Sequence, residues 1–149
     1  MSVVKSRRHT SDLKVLNEAF ALADYTVDKI TDTNKFPKSQ RWAYCFKMSD
    51  LCLEISSSIK RANAVHVDEN HGDPVKQIKK RLGFQSDAYE ACEALIEYIE
   101  RAYVHLPLSG READYWTGLV VNVEILIDSW RKSDIEKFKK KYMNKQVVR

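Results

Sequence analysis

Apolar residues recur at alternating intervals of three and four along the first half of the chain. One such row is Leu13, Leu16, Phe20, Ala23, Val27 and Ile30, and the next is Cys45, Met48, Cys52, Ile55, Ile59 and Ala62. This spacing places apolar side chains on one face of a helix. The sequence therefore predicts one amphipathic helix over roughly residues 11–32. It predicts a second that Pro37 opens, since proline suits the first helical position, and that ends at about residue 64.

Two more apolar rows follow in the second half. A third helix begins near Pro74 and carries the row Tyr89, Cys92, Ile96, Ile99 and Tyr103, beside a second row of Ala88, Ala91, Leu95, Tyr98 and Ala102. We therefore expect this helix to bury a broad face. Gly83 is a candidate bend near its start. Ser109 is a candidate N-cap for a fourth helix, with the row Trp116, Leu119, Val123, Leu126 and Trp130. Residues 65–74 form the longest predicted loop, because charges, Gly72 and Pro74 interrupt the pattern.

Four amphipathic helices with mostly short connections predict an all-α fold, an antiparallel up-down-up-down four-helix bundle. The predicted bundle covers residues 11–132, between a basic N-terminal arm at 1–10 and a basic C-terminal segment at 133–149. For the last segment, a short helix from Ser133 and a mobile tail both remain open. Only 4 glycines and 3 prolines leave little material for the tight turns of a β-sandwich.

Length and composition indicate one domain with a sizeable core. The chain has 149 residues, of which 44% are hydrophobic and 31% charged. No apolar run approaches the roughly 18 residues of a membrane span, and the N-terminus lacks the hydrophobic centre of a secretory signal. We therefore expect a cytoplasmic protein with no membrane partner. Cys45 and Cys52 lie about 10 Å apart on one predicted helix, too far to bridge each other, so we expect buried reduced thiols.

The net charge of +4 hides an uneven distribution. Residues 1–14 sum to +3 and residues 131–149 to +6, which leaves −5 for the body of the chain. An acidic body with basic ends favours an anionic partner, either nucleic acid or an acidic protein surface.

The stretch KFPKSQRW, residues 35–42, places Lys35, Lys38 and Arg41 at a helix start, where the helix dipole favours anions. One interpretation is structural: Arg41 bridges to Asp28 or Asp32, or to a neighbouring subunit, while Phe36 staples the helix start to the core. The other is functional. Lys38 and Arg41, beside free backbone N–H groups, would bind phosphate or an acidic partner.

Other charged groups have two interpretations as well. The C-terminal cations could bind phosphates while the nearby rings stack on bases, or they could form a solubilising tail; these residues are Lys137, Lys139, Lys140, Lys141 and Lys145, with Phe138 and Tyr142. A smaller cluster opens the third helix, at Lys76, Lys79, Lys80 and Arg81. An acidic row on that helix is either a solvated face or a contact for cations of another subunit: Glu90, Glu93, Glu97 and Glu100.

No catalytic signature is apparent in the sequence. His66 and His71 share a loop with Asp68, Glu69 and Asp73, but their spacing matches no familiar metal-ligand pattern. His105 follows Glu100 by five residues, whereas the di-iron bundles use Glu-x-x-His. There is no Gly-rich phosphate loop and no Gly-x-Ser-x-Gly elbow. We therefore expect no enzyme activity, no cofactor and no metal.

Three short motifs resemble a known family: Phe36-Pro37-Lys38-Ser39-Gln40-Arg41, Ile99-Glu100-Arg101-Ala102 and Ser129-Trp130-Arg131-Lys132. With the order of the helices over roughly residues 12–133, they resemble the accessory variability determinants of diversity-generating retroelements. Those proteins are related to the intervening-sequence proteins encoded in some bacterial large-subunit ribosomal RNA genes. The resemblance implies a homopentamer with a basic surface that binds reverse transcriptase and nucleic acid, template RNA or cDNA. It adds Arg101, Arg131 and Lys132 to the candidate binding residues.

The sequence thus leaves two hypotheses. The first is a non-catalytic accessory subunit that bridges a reverse transcriptase and nucleic acid through basic patches on an oligomeric bundle. The second is a protein-only oligomeric scaffold of the intervening-sequence type, whose basic patches bind an acidic protein. Salt dependence separates them, because nucleic-acid binding through several cations weakens steeply as salt rises.

Overall fold

The chain folds into a four-helix bundle. The structure, a computed structural model, describes residues 13–143, and within that range it contains helices and no strands. The long helices are α1 (Lys14–Ile30), α2 (Phe46–Ala64), α3 (Pro74–His105) and α4 (Gly110–Phe138). Short 3₁₀ turns cover Lys38–Gln40 and Glu69–His71, and π turns cover Arg41–Cys45 and Lys139–Met143. The predicted all-α bundle is confirmed.

Each long helix packs against two others. α2 contacts α1 and α3, and α4 contacts α3 and α1, so that the four helices enclose one core. At one end, the Cys45 thiol donates to the carbonyl of Ile30, 3.5 Å away, which joins the start of α2 to the end of α1. At the other end, Arg81 of α3 lies beside Val65, just after α2. These contacts are compatible with the predicted up-down order of the four helices, which stays a prediction.

The core contains large side chains from all parts of the bundle. Phe36, only 1% exposed, packs edge-to-face with Trp116, their ring centroids 6.0 Å apart. The fully buried Trp116 satisfies its indole N–H by donating to the hydroxyl of Thr26 at 3.0 Å. The prediction that Phe36 staples the start of the second helix to the core is thereby confirmed.

The broad buried face predicted for α3 is present, but the two tyrosines at the ends of its first row are partly exposed. Tyr89 and Tyr103 are 39% and 49% exposed. The buried positions come from both predicted rows and from two sites nearer the start of the helix, and they are Ile78, Gln85, Ala88, Ala91, Cys92, Leu95, Ile99 and Ala102. Alanines let helices approach closely, whereas a tyrosine hydroxyl needs water or a partner. The stripe of the fourth helix also differs in part, because Trp130 is only half-buried.

The starts of α3 and α4 follow the sequence signals. The Ser109 hydroxyl accepts a hydrogen bond from the N–H of Glu112 at 3.1 Å, which confirms it as the N-cap of α4. Asp73 caps α3 by accepting from the N–H of Val75, and Pro74 is the first helical residue. Gly83 neither ends nor interrupts α3, which runs unbroken from Pro74 to His105.

The helix that the sequence left open from Ser133 is present as the end of α4, which passes residue 132 without a break, while the division into domains stays a prediction. α4 continues to Phe138, because Asp134 and Phe138 are both buried and bind the segment to the bundle. Tyr142, in the following π turn, donates its hydroxyl to the carbonyl of Val67 at 3.3 Å. The predicted N-terminal arm and residues 144–149 lie outside the described residues.

Two further expectations concern the thiols and the membrane. Cys45, Cys52 and Cys92 are all free and buried, as expected. Burial raises the pKa of each of the three thiols. Between residues 13 and 143, no helix is long and apolar enough to cross a membrane.

Candidate nucleic-acid interface

An extended residue, a 3₁₀ turn and a π turn precede the regular part of α2. Pro37 has an extended backbone, with ψ at 152°, so it precedes the first helical residue instead of occupying it. A 3₁₀ turn at Lys38–Gln40 leads into the π turn at Arg41–Cys45. Such wide turns are frequent at functional sites and shift the register of side chains around the helix. The irregular start therefore determines which side chains face solvent here.

Lys35, a predicted binding cation, is already engaged within the chain. Its ammonium lies 3.1 Å from the Glu112 carboxylate, and that of Lys29 lies 3.4 Å from the same group. Hydrogen bonding to Lys35, followed by that to Lys29, lowers the pKa of Glu112. Glu112 opens α4, so these pairs join the connection between α1 and α2 to the fourth helix. Lys35 is better explained as a structural cation than as a free one.

Lys38 and Arg41 differ from Lys35 in having no acid partner among the described residues. Both side chains are exposed, and neither forms an ion pair with any residue from 13 to 143. The bridge from Arg41 to Asp28 or Asp32, one of the two sequence interpretations, is absent from this part of the chain. The same structural interpretation also allowed Arg41 to pair with an acid on another subunit, and that contact stays a hypothesis.

Two exposed aromatic residues closely follow these cations in the chain. Trp42 is 81% exposed and Phe46 is 48% exposed. Their centroids are 5.2 Å apart with the planes at 85°, an edge-to-face pair. Lys47, also exposed, follows Phe46. We call Lys38, Arg41, Trp42, Phe46 and Lys47 the basic-aromatic patch.

The sequence interpretation assigned no role to Trp42. One signal in the sequence did concern Trp42. The three-four spacing of the second helix, continued back from Cys45, reaches position 41 and not 42, so the indole lies off the apolar stripe. A large aromatic residue off the stripe predicts an exposed ring. Its pairing with Phe46 depends on the π turn, which the pattern does not encode.

Arg101 borders the same end of α2. It lines a cleft of about 350 Å³ together with Ala43, Tyr44, Glu97 and Tyr98. Its Nε and Nη2 donate to one Glu97 oxygen at 3.2 and 3.1 Å, on an exposed part of α3. Exposed pairs of this kind are weak, so Arg101 can exchange Glu97 for another anion at small cost.

The candidate residues Arg131 and Lys132 lie in acidic surroundings near the end of α4. Lys132 pairs with Asp128 at 3.0 Å. The half-buried Arg131 lines a cleft of about 250 Å³ beside Tyr89, Glu90 and Asp128, and its Nε has no partner in the described structure. The two carboxylates disfavour a phosphate at this place.

The C-terminal lysines offer charge without free aromatic rings. Lys139 and Lys140 are exposed and pair with no acid of the described chain. Lys137 and Lys141 lie over the rings of their neighbours Phe138 and Tyr142, 5.5 and 5.4 Å from the centroids. Phe138 is only 6% exposed, so its ring is not available to stack on a base. Lys145 lies outside the described residues.

The basic cluster at the start of α3 divides into two kinds of residue. Lys76, Lys79 and Lys80 are exposed, whereas Arg81 is bound to Asp134 at 2.7 Å. Its guanidinium also lies over the rings of Trp130 and Phe138. Arg81 therefore joins α3 to α4 and is not a surface cation.

The acidic row of α3 faces solvent at all four positions. Glu93 is the one that lies beside a buried acid, Glu124 of α4, which is only 7% exposed. Burial, with the neighbouring Glu93 carboxylate, raises the pKa of Glu124 to about 8. The contact of this row with another subunit stays untested.

The loop histidines bind within their own loop. His71 Nδ1 lies 2.6 Å from an Asp68 oxygen, and the His66 and His71 rings stack with centroids 4.9 Å apart. From residue 13 to residue 143, no group of three or more His, Cys, Asp or Glu side chains is placed to hold a metal ion.

Comparisons with known proteins do not add to this picture. No protein family, curated protein or solved structure matches the chain significantly. The functional interpretation therefore depends on the geometry of the chain itself and on the motif resemblance.

Proposed function

We propose that the protein is a non-catalytic accessory subunit that binds nucleic acid through the basic-aromatic patch at the start of α2. In keeping with the motif resemblance, its partners would be a reverse transcriptase and the template RNA or cDNA of a diversity-generating retroelement. The proposal includes a homo-oligomer, a pentamer by that resemblance, and a cytoplasmic location. No chemistry is assigned to the chain.

One observation carries the proposal: Lys38 and Arg41 closely precede a tryptophan that is 81% exposed, and no acid in the described chain forms an ion pair with either cation. A surface cation without an acid partner is available to a phosphate, and an exposed indole can contact a base. Arg101, held by an exposed pair with Glu97, adds a further cation near the patch, beyond Lys38, Arg41 and Lys47.

The C-terminal lysines form a second, separate site of positive charge. Tyr142 binds the carbonyl of Val67, beyond the far end of α2. Between Arg41 and Ala64 the chain is helical, which at 1.5 Å per residue spans about 35 Å. One strand bound at the patch therefore does not reach these lysines without crossing the length of the bundle.

Oligomerisation would compensate for the small size of the patch. Two or three cations per chain give weak binding, whereas a ring of identical patches raises the effective concentration for a single long strand. The proposed pentamer thus explains how a chain with a net charge of only +4 would hold a polyanion.

Salt dependence tests the proposal. A labelled RNA strand of about 12 nucleotides is titrated with the protein, and fluorescence anisotropy is recorded at about 50 and 200 mM salt. Binding through several cations weakens steeply over this range. The proposal predicts binding at the lower salt that falls severalfold or more at the higher. Absence of binding at the lower salt would refute it.

A second function, the protein-only scaffold, is favoured by one observation. Leu53, 68% exposed, extends the apolar surface of α2 beyond Trp42 and Phe46, and apolar surface of this kind suits a protein partner. Co-purification with the reverse transcriptase after nuclease treatment distinguishes the two functions. Capture that survives nuclease, together with no RNA binding, would favour the scaffold.

A further inference from the structure

We infer that the basic-aromatic patch binds an unpaired base, stacked on the indole of Trp42, and so selects single-stranded over duplex nucleic acid. This inference rests on the proposed function, because it names the form of nucleic acid that the same patch takes.

The indole is both exposed and held in place. Phe46 packs against it at 85° and 5.2 Å, while about four fifths of the residue remains open to solvent. A ring positioned by an edge-to-face neighbour loses less side-chain freedom on binding than an isolated one. Stacking of a base on such a ring contributes about 1–3 kcal/mol and does not depend on the base.

Unpaired bases fit this arrangement better than duplex does. In a duplex, both faces of every base are covered by its neighbours, so an external indole meets only the sugar-phosphate surface. Lys38, Arg41 and Lys47 would contact phosphates of either form. Trp42 therefore adds binding energy only when a base is free to leave the strand and stack on it.

The surrounding charges favour a polyanion over a protein partner. Lysine is depleted in protein interfaces, whereas arginine and aromatic residues are enriched there, and the patch contains two exposed lysines, Lys38 and Lys47. Neither cation pairs with an acid in the described chain. A protein surface covering the rings would have to desolvate both cations or supply acids for them, whereas a nucleic-acid strand carries a phosphate beside each base.

The patch is also short. Asp50, exposed and one turn beyond Phe46, places negative charge after Lys47. Residues 38–47 cover about 15 Å at the rise of a helix. Each chain therefore contacts only a few nucleotides, and a single stacked base makes up a large share of its binding energy.

Substitution of Trp42 tests the inference. Trp42→Ala is compared with Trp42→Phe, which keeps a stacking face, and with Trp42→Leu, which keeps apolar area without one. Leu53→Ala is the matched control for loss of an exposed apolar side chain on α2. The ligands are a labelled single strand, the same length as a duplex, and a strand with abasic sites at every position.

The expected result is specific to bases. Trp42→Ala and Trp42→Leu weaken single-strand binding by about 10-fold or more, while Trp42→Phe and Leu53→Ala stay within about threefold of the wild type. On the duplex and the abasic strand, which offer the same phosphates, wild type and Trp42→Ala bind alike. Fluorescence quenching by the single strand that disappears in Trp42→Phe is a second readout, because the buried Trp116 and the half-buried Trp130 are present in both proteins.

Three outcomes would overturn the inference. Equal single-strand binding by wild type and Trp42→Ala removes the stacking contact, as does Trp42→Leu binding like Trp42→Phe. If Trp42→Ala loses capture of the reverse transcriptase but keeps RNA binding, the rings are a protein-docking surface. If neither the wild type nor any variant binds a strand at low salt, the proposed function itself fails. That result is distinct from loss of the stacking contact alone, in which the wild type still binds.

Discussion

Arg81 and Asp134 form a two-pronged ion pair between the start of α3 and the end of α4, 53 residues apart in the sequence. Nε and Nη2 of the arginine donate to the two carboxylate oxygens at 2.7 and 3.2 Å. The Gln85 amide donates to the same carboxylate at 2.7 Å. Asp134 is only 6% exposed, so this network is what binds the C-terminal part of α4 to the bundle.

Loss of this network should destabilise the fold. Asp134→Ala leaves the Arg81 guanidinium mostly buried without its anion, and breaking a buried pair in this way costs about 3–5 kcal/mol of unfolding free energy. Asp128→Ala is the matched control, because its pair with Lys132 is exposed and contributes about 1 kcal/mol or less. Urea unfolding followed by circular dichroism measures both. Equal effects of the two substitutions would contradict the structural role of Asp134.

Phe36 should behave as a core residue although it precedes the helix start. Phe36→Ala removes a ring that is 1% exposed and packs on Trp116, so we expect a loss of about 3–5 kcal/mol. Phe46→Ala removes the same ring from a half-exposed position and should cost about 1 kcal/mol or less. Thermal unfolding of the two variants gives the comparison. A larger loss for Phe46→Ala would show that the patch rings belong to the core.

Glu124 should make stability depend on pH. Its pKa is raised from 4.5 to about 8 in the folded protein by burial and by Glu93. A carboxyl with a raised folded pKa stabilises the fold below the unfolded pKa, and this contribution is lost as pH rises from about 4.5 towards 8. Glu124→Gln stays neutral at every pH. We therefore expect its melting temperature to decline less over that range and to be higher than that of the wild type at pH 8.

The control for Glu124 is Glu90→Gln. Glu90 is an exposed acid on the same row as Glu93, so the same Glu-to-Gln change at this position leaves the buried carboxyl of Glu124 in place. Its melting temperature should follow the wild-type pH profile. If the melting temperature of Glu124→Gln follows the wild-type pH profile, Glu124 is ionised in the folded bundle at neutral pH, which contradicts the prediction.

Periodicity predicted much of the fold because burial follows the helical repeat. It identified four helices, and local signals identified Ser109 as an N-cap and Phe36 as a staple. It also predicted a broad buried face on α3 from two adjacent apolar rows, but spacing alone does not show that Tyr89 and Tyr103 are partly exposed. Contacts between distant segments, such as Arg81 with Asp134, leave no local pattern, and so the sequence left the helix from Ser133 open.

The candidate site was predicted in part. Lys38 and Arg41 are exposed cations in the structure, but Lys35 is bound to Glu112 and Lys132 to Asp128. Sequence shows the charges and does not show which of them have partners, since the acids come from other turns or helices. Trp42 was assigned no role, although its place off the apolar stripe indicated an exposed ring, and its pairing with Phe46 depends on a π turn before α2 that the pattern does not encode.

The central claim is that unpaired cations at the start of α2 bind nucleic acid, and charge reversal tests it most directly. Lys38→Glu/Arg41→Glu is compared with Lys139→Glu/Lys140→Glu, an equal change in net charge at the other end of the bundle, with helicity checked by circular dichroism. The measurement is the slope of log K against log salt for a single strand. Because each phosphate contact contributes about 0.7 to that slope, the first variant should lose about 1.4 and bind more weakly, whereas the second should stay close to wild type. Wild-type affinity and slope in Lys38→Glu/Arg41→Glu would contradict the account.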